Sequence, residues 1–328
     1  MSDKNFRSLA RTYRASIERR LRELQVRRKP TYVYDPIRYV LASGGKRLRG
    51  FLVLLACEAV GGDAHSAVDA AVAVELLHNF TLIHDDVMDH ASVRRGKPTV
   101  HKKWNDDVAI LSGDELVAHA YRFLLGRPSA RTPAIVTAFT DAFIQVCEGQ
   151  GFDKEFEMRR KVSASDYLMM TGKKTARLFS AAAEIGALVG NGSRDEVLAL
   201  QSFGHKLGLA FQIKDDLLDI VGDEERFGKS IGGDIIEGKK TYLLVQALSQ
   251  ARGKDLALLR RVAPEGGLGR SAVGKILRLY RKYDVLEGAQ RKIAECTRSA
   301  ERALTTLRRG RATSALRWLA GTLLERTS

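Results

Sequence analysis

The chain has 328 residues, 45% hydrophobic, 28% charged and 7% aromatic, with 29 glycines and only 6 prolines. This balance excludes a disordered, collagen-like or coil-only polymer and leaves a globular chain long enough for a large core. With 54 Lys and Arg against 39 Asp and Glu, the net charge of +15 favours anionic partners such as nucleic acid, acidic lipid or phosphorylated small molecules.

From the N-terminus, Phe6, Leu9, Tyr13, Ile17, Leu21 and Leu24 recur at helical spacing and predict an amphipathic first helix. Asp3, Glu18 and Glu23 argue against a transit peptide, and no apolar signal region precedes them, so a cytoplasmic location is expected. Helical periodicity rich in Ala and Leu follows over 51–60, 67–88, 108–125, 167–189 and 198–221. Pro30, Pro36, Pro98, Pro128, Pro133 and Pro264 fall between these stretches, as helix connections require. Strand alternation is scarce, so an all-α bundle of about ten or more helices is predicted. No flexible linker divides the sequence, which reads as a single domain over 1–328.

No run of eighteen uninterrupted apolar residues occurs, so stable membrane insertion is not expected. The arginine-rich C-terminal third, including Arg260, Arg261, Arg278 and Arg281, reads as a solvated outer face. No helix-turn-helix, zinc-finger or RNP-like string accompanies it, so no nucleic-acid partner is expected. Cys57, Cys147 and Cys296 are widely separated and suggest neither a disulfide framework nor a zinc site.

An internal echo carries the chemistry. LIHDDVMD at 82–89 and QIKDDLLD at 212–219 both read apolar, polar, Asp-Asp, two apolar residues, Asp. Asp85 and Asp89, four apart, share one helix face, with Asp86 off to the side. Asp215 and Asp219 repeat that arrangement. Paired carboxylates on an apolar helix repel one another unless a cation joins them, and an oxygen-only set without His or Cys suits Mg²⁺ before Ca²⁺. The spacing is not that of an EF-hand loop.

Cations cluster around these motifs. GGKRLRG at 44–50 places Lys46, Arg47 and Arg49 just before a helix, while Arg94 and Arg95 follow the first motif. Arginine forks and lysine ammonium groups bind phosphate, although the P-loop spacing is absent. Lys173 and Lys174 with Thr175, and Lys229, Lys239 and Lys240 after the second motif, extend the set to a capacity for two diphosphate groups.

Together GGKRLRG, HDDVMD with RRGKPTVH, GQ at 149–150, KT at 174–175, FQIKDDLLD and GKSIGGDIIEGKKTY resemble, in order, the trans-isoprenyl diphosphate synthases of the polyprenyl synthetase family. The resemblance implies an isoprenoid synthase-type helical bundle around a central cavity, formed as a homodimer, with the two aspartate motifs facing each other. It also implies a Mg²⁺-dependent prenyltransferase that condenses isopentenyl diphosphate with an allylic diphosphate. Carried over, Asp85, Asp89, Asp215 and Asp219 hold Mg²⁺. Arg94, Lys174, Thr175, Gln212, Lys229 and Lys239 engage the allylic diphosphate, and Lys46, Arg49, His78 and Arg95 engage isopentenyl diphosphate, with Arg47 a weaker candidate. Asp85, Asp89, Asp215, Lys174 and Arg94 form the catalytic set.

At about 100° per residue, His78 and Gln212 project to the same side as their neighbouring carboxylates. Phe80, Thr81 and Leu77 precede the first motif by five, four and eight residues and are the candidates for setting product length. An aromatic at the fifth position beside a small fourth residue resembles makers of C20 geranylgeranyl diphosphate, although a helical wheel sets Phe80 off the Asp85 face. A farnesyl diphosphate (C15) synthase, a basic polyanion-binding protein and a regulatory subunit without activity of its own are the alternatives. Gly50 stands where the family commonly has proline, and GGD at 232–234 is a local variant.

Overall fold

The computed structural model describes residues 1–24, 28–222, 232–263 and 267–325. It is 79% helical and 1% strand, the all-α class expected. In order the helices are α1 (Asp3–Arg22), α2 (Thr31–Ala42), α3 (Leu48–Ala59), α4 (Val68–Met88), α5 (Val100–Lys103), α6 (Asp106–Leu125), α7 (Thr132–Met158), α8 (Ala164–Thr171), α9 (Arg177–Val189) and α10 (Arg194–Val221). Then come α11 (Gly233–Glu237), α12 (Tyr242–Gln250), α13 (Gly253–Leu259), α14 (Arg270–Lys282), α15 (Val285–Ala303) and α16 (Arg311–Glu325). A short antiparallel ribbon, β1 (Val93–Arg94) with β2 (Lys97–Pro98), interrupts this series where no strand was foreseen.

Local chemistry sets the helix starts. Asn105 Oδ1 accepts from the Val108 N–H at 2.8 Å to begin α6, and Ser163 and Asp166 form a reciprocal capping box on α8. Each such cap contributes about 1 kcal/mol.

The chain groups into two compact units, each assembled from separated stretches. The first comprises Met1–Phe143, Ser180–Gln201 and Leu304–Trp318. Its central element is α4, buried on all sides between Ala70 and Leu77 and apolar there except for Glu75, where it packs against α1, α3 and α6. The helical stretch Ala64–Met88 is long and apolar enough to cross a membrane, but most of it is buried inside the unit, as a core helix must be. Polarity returns toward its C-terminal end, which carries the first aspartate motif.

The second unit comprises Ile144–Phe179, Ser202–Ala303 and Leu319–Ser328. Ile213, Leu217 and Ile220 of α10 join Tyr167, Tyr242, Leu244, Ile276 and Ile293 in its core. Here α12 packs against α8, α13, α14 and α15, and the apolar side of α10, the helix that carries the second aspartate motif, is buried in the same core.

Candidate active site

In the first unit the DDxxD triplet divides its labour. Asp85 and Asp89 are half-buried, whereas Asp86 is buried and accepts the Arg94 Nε–H at 2.7 Å. Burial raises the Asp86 pKa against the pull of that guanidinium. Arg94 therefore stands over the motif, held by its middle carboxylate. Its neighbour Arg95 (φ 54°) and Gly96 (φ 72°) form the turn of the β1–β2 ribbon, a two-residue turn in which both φ values are positive.

The Arg95 guanidinium donates to the Gly44 carbonyl and packs over Gly45, drawing the GGKRLRG loop onto the ribbon. Arg49 Nη1 donates to His78 Nε2 at 3.0 Å. His78 must accept that hydrogen bond, so its ring is neutral with the proton on Nδ1. Burial, then the nearby charges of Arg49, Arg95, Arg94 and Arg47, hold the His78 pKa well below its ordinary value. Burial lowers Arg49 to about 10, and burial with Arg47 and Arg94 lowers Arg95. Cations this crowded have the chemistry of an anion site. Lys46 stands exposed on the same loop.

Arg47 does something else. In the left-handed conformation (φ 49°) at the N-terminal boundary of α3, it turns inward, 2% exposed, and donates to Glu18 at 2.8 Å and to the Leu41 carbonyl at 2.9 Å. Its guanidinium also lies 3.8 Å from the buried Glu75 carboxylate, so Arg47 holds the loop together rather than lining it. Glu75 accepts the Gly50 N–H at 2.8 Å, a bond proline could not make. A Cβ on Gly50 would also lie 2.9 Å from Glu75 Cγ.

Leu77 is fully buried, Thr81 is half-buried with its hydroxyl donating to the His78 carbonyl at 2.8 Å, and Phe80 packs edge-on to Phe143 with ring centroids 5.2 Å apart. Phe80 also lies against the His84 ring, off the carboxylate face as the wheel indicates.

In the second unit the same division recurs. Asp215 is exposed and Asp219 half-buried, but Asp216 is buried and accepts from Tyr167 Oη at 2.7 Å, Tyr242 N–H at 2.9 Å and Gln212 Nε2 at 3.1 Å. Burial nevertheless carries its pKa up to about 6. Gln212 Oε1 accepts the Thr175 hydroxyl at 2.9 Å, which fixes the orientation of the amide. Thr175 and Lys174 sit on a five-residue π turn, Gly172–Ala176, that swings them out of the regular helical path. The GQ signature explains its seat, because a Cβ on Gly149 would lie 2.3 Å from Lys174 N and 2.6 Å from Lys174 Cα. Only glycine lets α7 approach this backbone. Lys174 Nζ then donates to Asp153 Oδ2 at 2.6 Å, one turn further along α7.

Asp219 Oδ2 accepts the Asp234 N–H at 3.1 Å. Burial first, then the charges of Asp219, Asp216 and Asp215, push the Asp234 pKa well up, with Lys239 opposing. Four carboxylates so crowded have the chemistry of a cation site. Among the described residues no three His, Cys, Asp or Glu side chains close into a ready-made metal cage. The outer carboxylates of each motif are hard oxygen donors, the kind Mg²⁺ takes one or two of together with phosphate oxygens. The donor sets of both motifs fit that ion.

Lys239 is exposed and lies 2.7 Å from Glu237, while Lys240 donates to the Phe156, Glu157 and Arg159 carbonyls and so caps the end of α7. Lys229 lies outside the described residues. Reading the sequence missed Asp153, Tyr167 and the acidic role of Asp234. The Gly149-to-Asp153 spacing of one helical turn and the GGD string were their only signals.

Comparison with known proteins gives a consistent result. A family model described as polyprenyl synthetase matches residues 30–278. A short chain isoprenyl diphosphate synthase of Methanothermobacter thermautotrophicus is 38% identical over 319 residues, covering 97% of this chain and 98% of the relative. A geranylgeranyl diphosphate synthase of Methanosarcina mazei is 44% identical over 230 residues, 70% of this chain and 71% of that one. The crystal structure of a geranylgeranyl pyrophosphate synthetase from Pyrococcus horikoshii superposes with a TM-score of 0.93 at 35% identity, covering 99% of both chains.

Proposed function

This chain belongs to the polyprenyl synthetase family, and we propose that it is a prenyltransferase condensing isopentenyl diphosphate with allylic diphosphates, head to tail, to geranylgeranyl diphosphate. The observation that carries this reading is the division of labour found twice. In each DDxxD motif the middle carboxylate is buried and tied into the protein, by Arg94 or by Tyr167, Tyr242 and Gln212, while Asp85 and Asp89, and Asp215 and Asp219, are less buried and stand one helical turn apart on the outer face.

Those outer carboxylates are the residues that would hold Mg²⁺, which supplies charge neutralisation to a departing diphosphate. Arg94, Lys174 and Lys239 add positive charge to the allylic diphosphate as its C–O bond breaks, and the Thr175–Gln212 pair positions polar groups beside the reacting carbons. Lys46, Arg49, His78 and Arg95 seat isopentenyl diphosphate, whose double bond attacks the allylic cation. The released pyrophosphate then takes the proton lost as the new double bond forms. Leu77, Thr81 and Phe80 lie along the helix before the first motif, where a growing prenyl tail needs apolar walls that keep water from the cation. Relatives that are geranylgeranyl diphosphate synthases support C20 as the product. The working form is proposed to be a cytoplasmic homodimer.

Substituting Asp85→Ala or Asp215→Ala tests the assignment. Each variant should retain helical circular dichroism and lose Mg²⁺-dependent condensation by several orders of magnitude. Full turnover in both would overturn the metal assignment.

A further inference from the structure

Positive charge is not spread evenly along this chain. Between Arg252 and Lys282 there are nine Lys and Arg against two Asp and Glu, and every one of those nine cations is exposed. The concentration centres on α14, which carries Arg270, Lys275, Arg278, Arg281 and Lys282 and no acidic residue. At 100° per residue these five project within an arc of about 140°. Val273, Ile276, Leu279 and Tyr280 occupy the opposite side and are buried in the core of the second unit. At about 1.5 Å per residue the five charges lie along roughly 18 Å of helix, a little over two Debye lengths of about 8 Å, so the fields of adjacent charges overlap. Lys282 is shared with Asp255, which also accepts from Tyr283 Oη at 2.9 Å and so fastens the end of α14 to α13.

We propose that this α14 stripe docks the enzyme on the surface of an anionic lipid bilayer. The apolar side of α14 is committed to the core, so the helix does not insert and attachment is electrostatic, reversible and salt-sensitive. A nucleic acid is the poorer fit. Between its cations the outward arc offers Ser271 and Gly274, with no aromatic ring to stack on bases and no amide to read their edges. A lipid surface also suits a C20 amphiphile that has to leave water, and this last argument alone rests on the product proposed above. α14 adjoins the second aspartate motif: Val273 packs against Gly232, whose N–H donates to the Asp219 carbonyl at 2.8 Å.

The test is co-sedimentation of the full chain with vesicles of phosphatidylglycerol and phosphatidylcholine, with vesicles of phosphatidylcholine alone, and with duplex DNA as competitor. Binding to the anionic vesicles only, falling steeply with salt, is expected. Each basic residue near such a surface strengthens binding about five-fold, so Lys275→Glu with Arg278→Glu and Arg281→Glu should weaken it by roughly a hundred-fold or more. A matched reversal on α1, Arg7→Glu with Arg11→Glu and Arg14→Glu, should have a much smaller effect. Equal loss from both triple variants would refute a local stripe, and tighter binding to DNA than to vesicles would refute the lipid assignment. Condensation activity without vesicles, measured on each variant, reports folding. Its absence in the unmodified protein would sink the proposed reaction while leaving the vesicle result standing. Should the triple variant misfold, the salt dependence of the unmodified chain and Arg278→Glu alone decide the question.

Discussion

Replacing Gly149 by alanine probes how the sequence builds the lysine-bearing turn. The added methyl would sit 2.3 Å from Lys174 N, 2.6 Å from Lys174 Cα and 2.8 Å from Lys173 C, all backbone atoms, whereas ordinary contact begins at 3.4 Å. The π turn Gly172–Ala176 must therefore retreat by about 1 Å, and Lys174 and Thr175 with it. Overpacking of this kind costs about 1–3 kcal/mol of stability. A displacement of about 1 Å at positioning groups costs on the order of a hundred-fold in turnover. The variant should thus fold, with a lowered denaturation midpoint in urea, while kcat/KM for the allylic diphosphate falls about a hundred-fold. Parallel urea unfolding and steady-state kinetics measure both. Wild-type stability together with wild-type kcat/KM would refute the close-approach argument. A large stability loss with unchanged kinetics would show that the turn has no part in catalysis.

Phe80→Ala removes a ring stacked edge-on to Phe143 and should cost about 3–5 kcal/mol of stability while lengthening the main product, whereas an unchanged product length shows that another residue limits growth. Tyr167→Phe deletes a hydrogen bond to the buried Asp216 carboxylate and should cost about 1.5–3 kcal/mol; unaltered unfolding would show that the bond is dispensable. His78 is held neutral in the fold, so protons bind the unfolded chain more readily as pH falls below its ordinary value of 6.5. Its contribution to stability is complete above that pH and is lost on acidification. His78→Gln should flatten the acid limb of the stability profile, and an identical limb in both proteins would contradict the burial of a neutral ring.

Much of the helical frame was legible because amphipathic periodicity and caps act locally. The stretches at 67–88, 108–125 and 198–221 became α4, α6 and α10 with ends moved by at most four residues. The offset of Asp86 from Asp85 and Asp89 followed from helix geometry alone. What stayed hidden depends on partners distant in sequence. Arg47 sits between two cations expected to face an anion, and only the left-handed turn and the carboxylates of Glu18 and Glu75 send it inward. Lys240 is drawn to the end of α7, some eighty residues earlier. The π turn breaks the 3.6-residue period for a single turn, too briefly for a pattern to register, and the β1–β2 ribbon is only two residues long on each side.

The central claim is a reaction, and product analysis tests it most directly. Purified protein is incubated with Mg²⁺ and isopentenyl diphosphate, together with C5, C10 or C15 allylic diphosphates in separate reactions, and the products are sized by chromatography. The account predicts a dominant C20 prenyl diphosphate that disappears when the metal is chelated. No condensation with any of the three primers would contradict it.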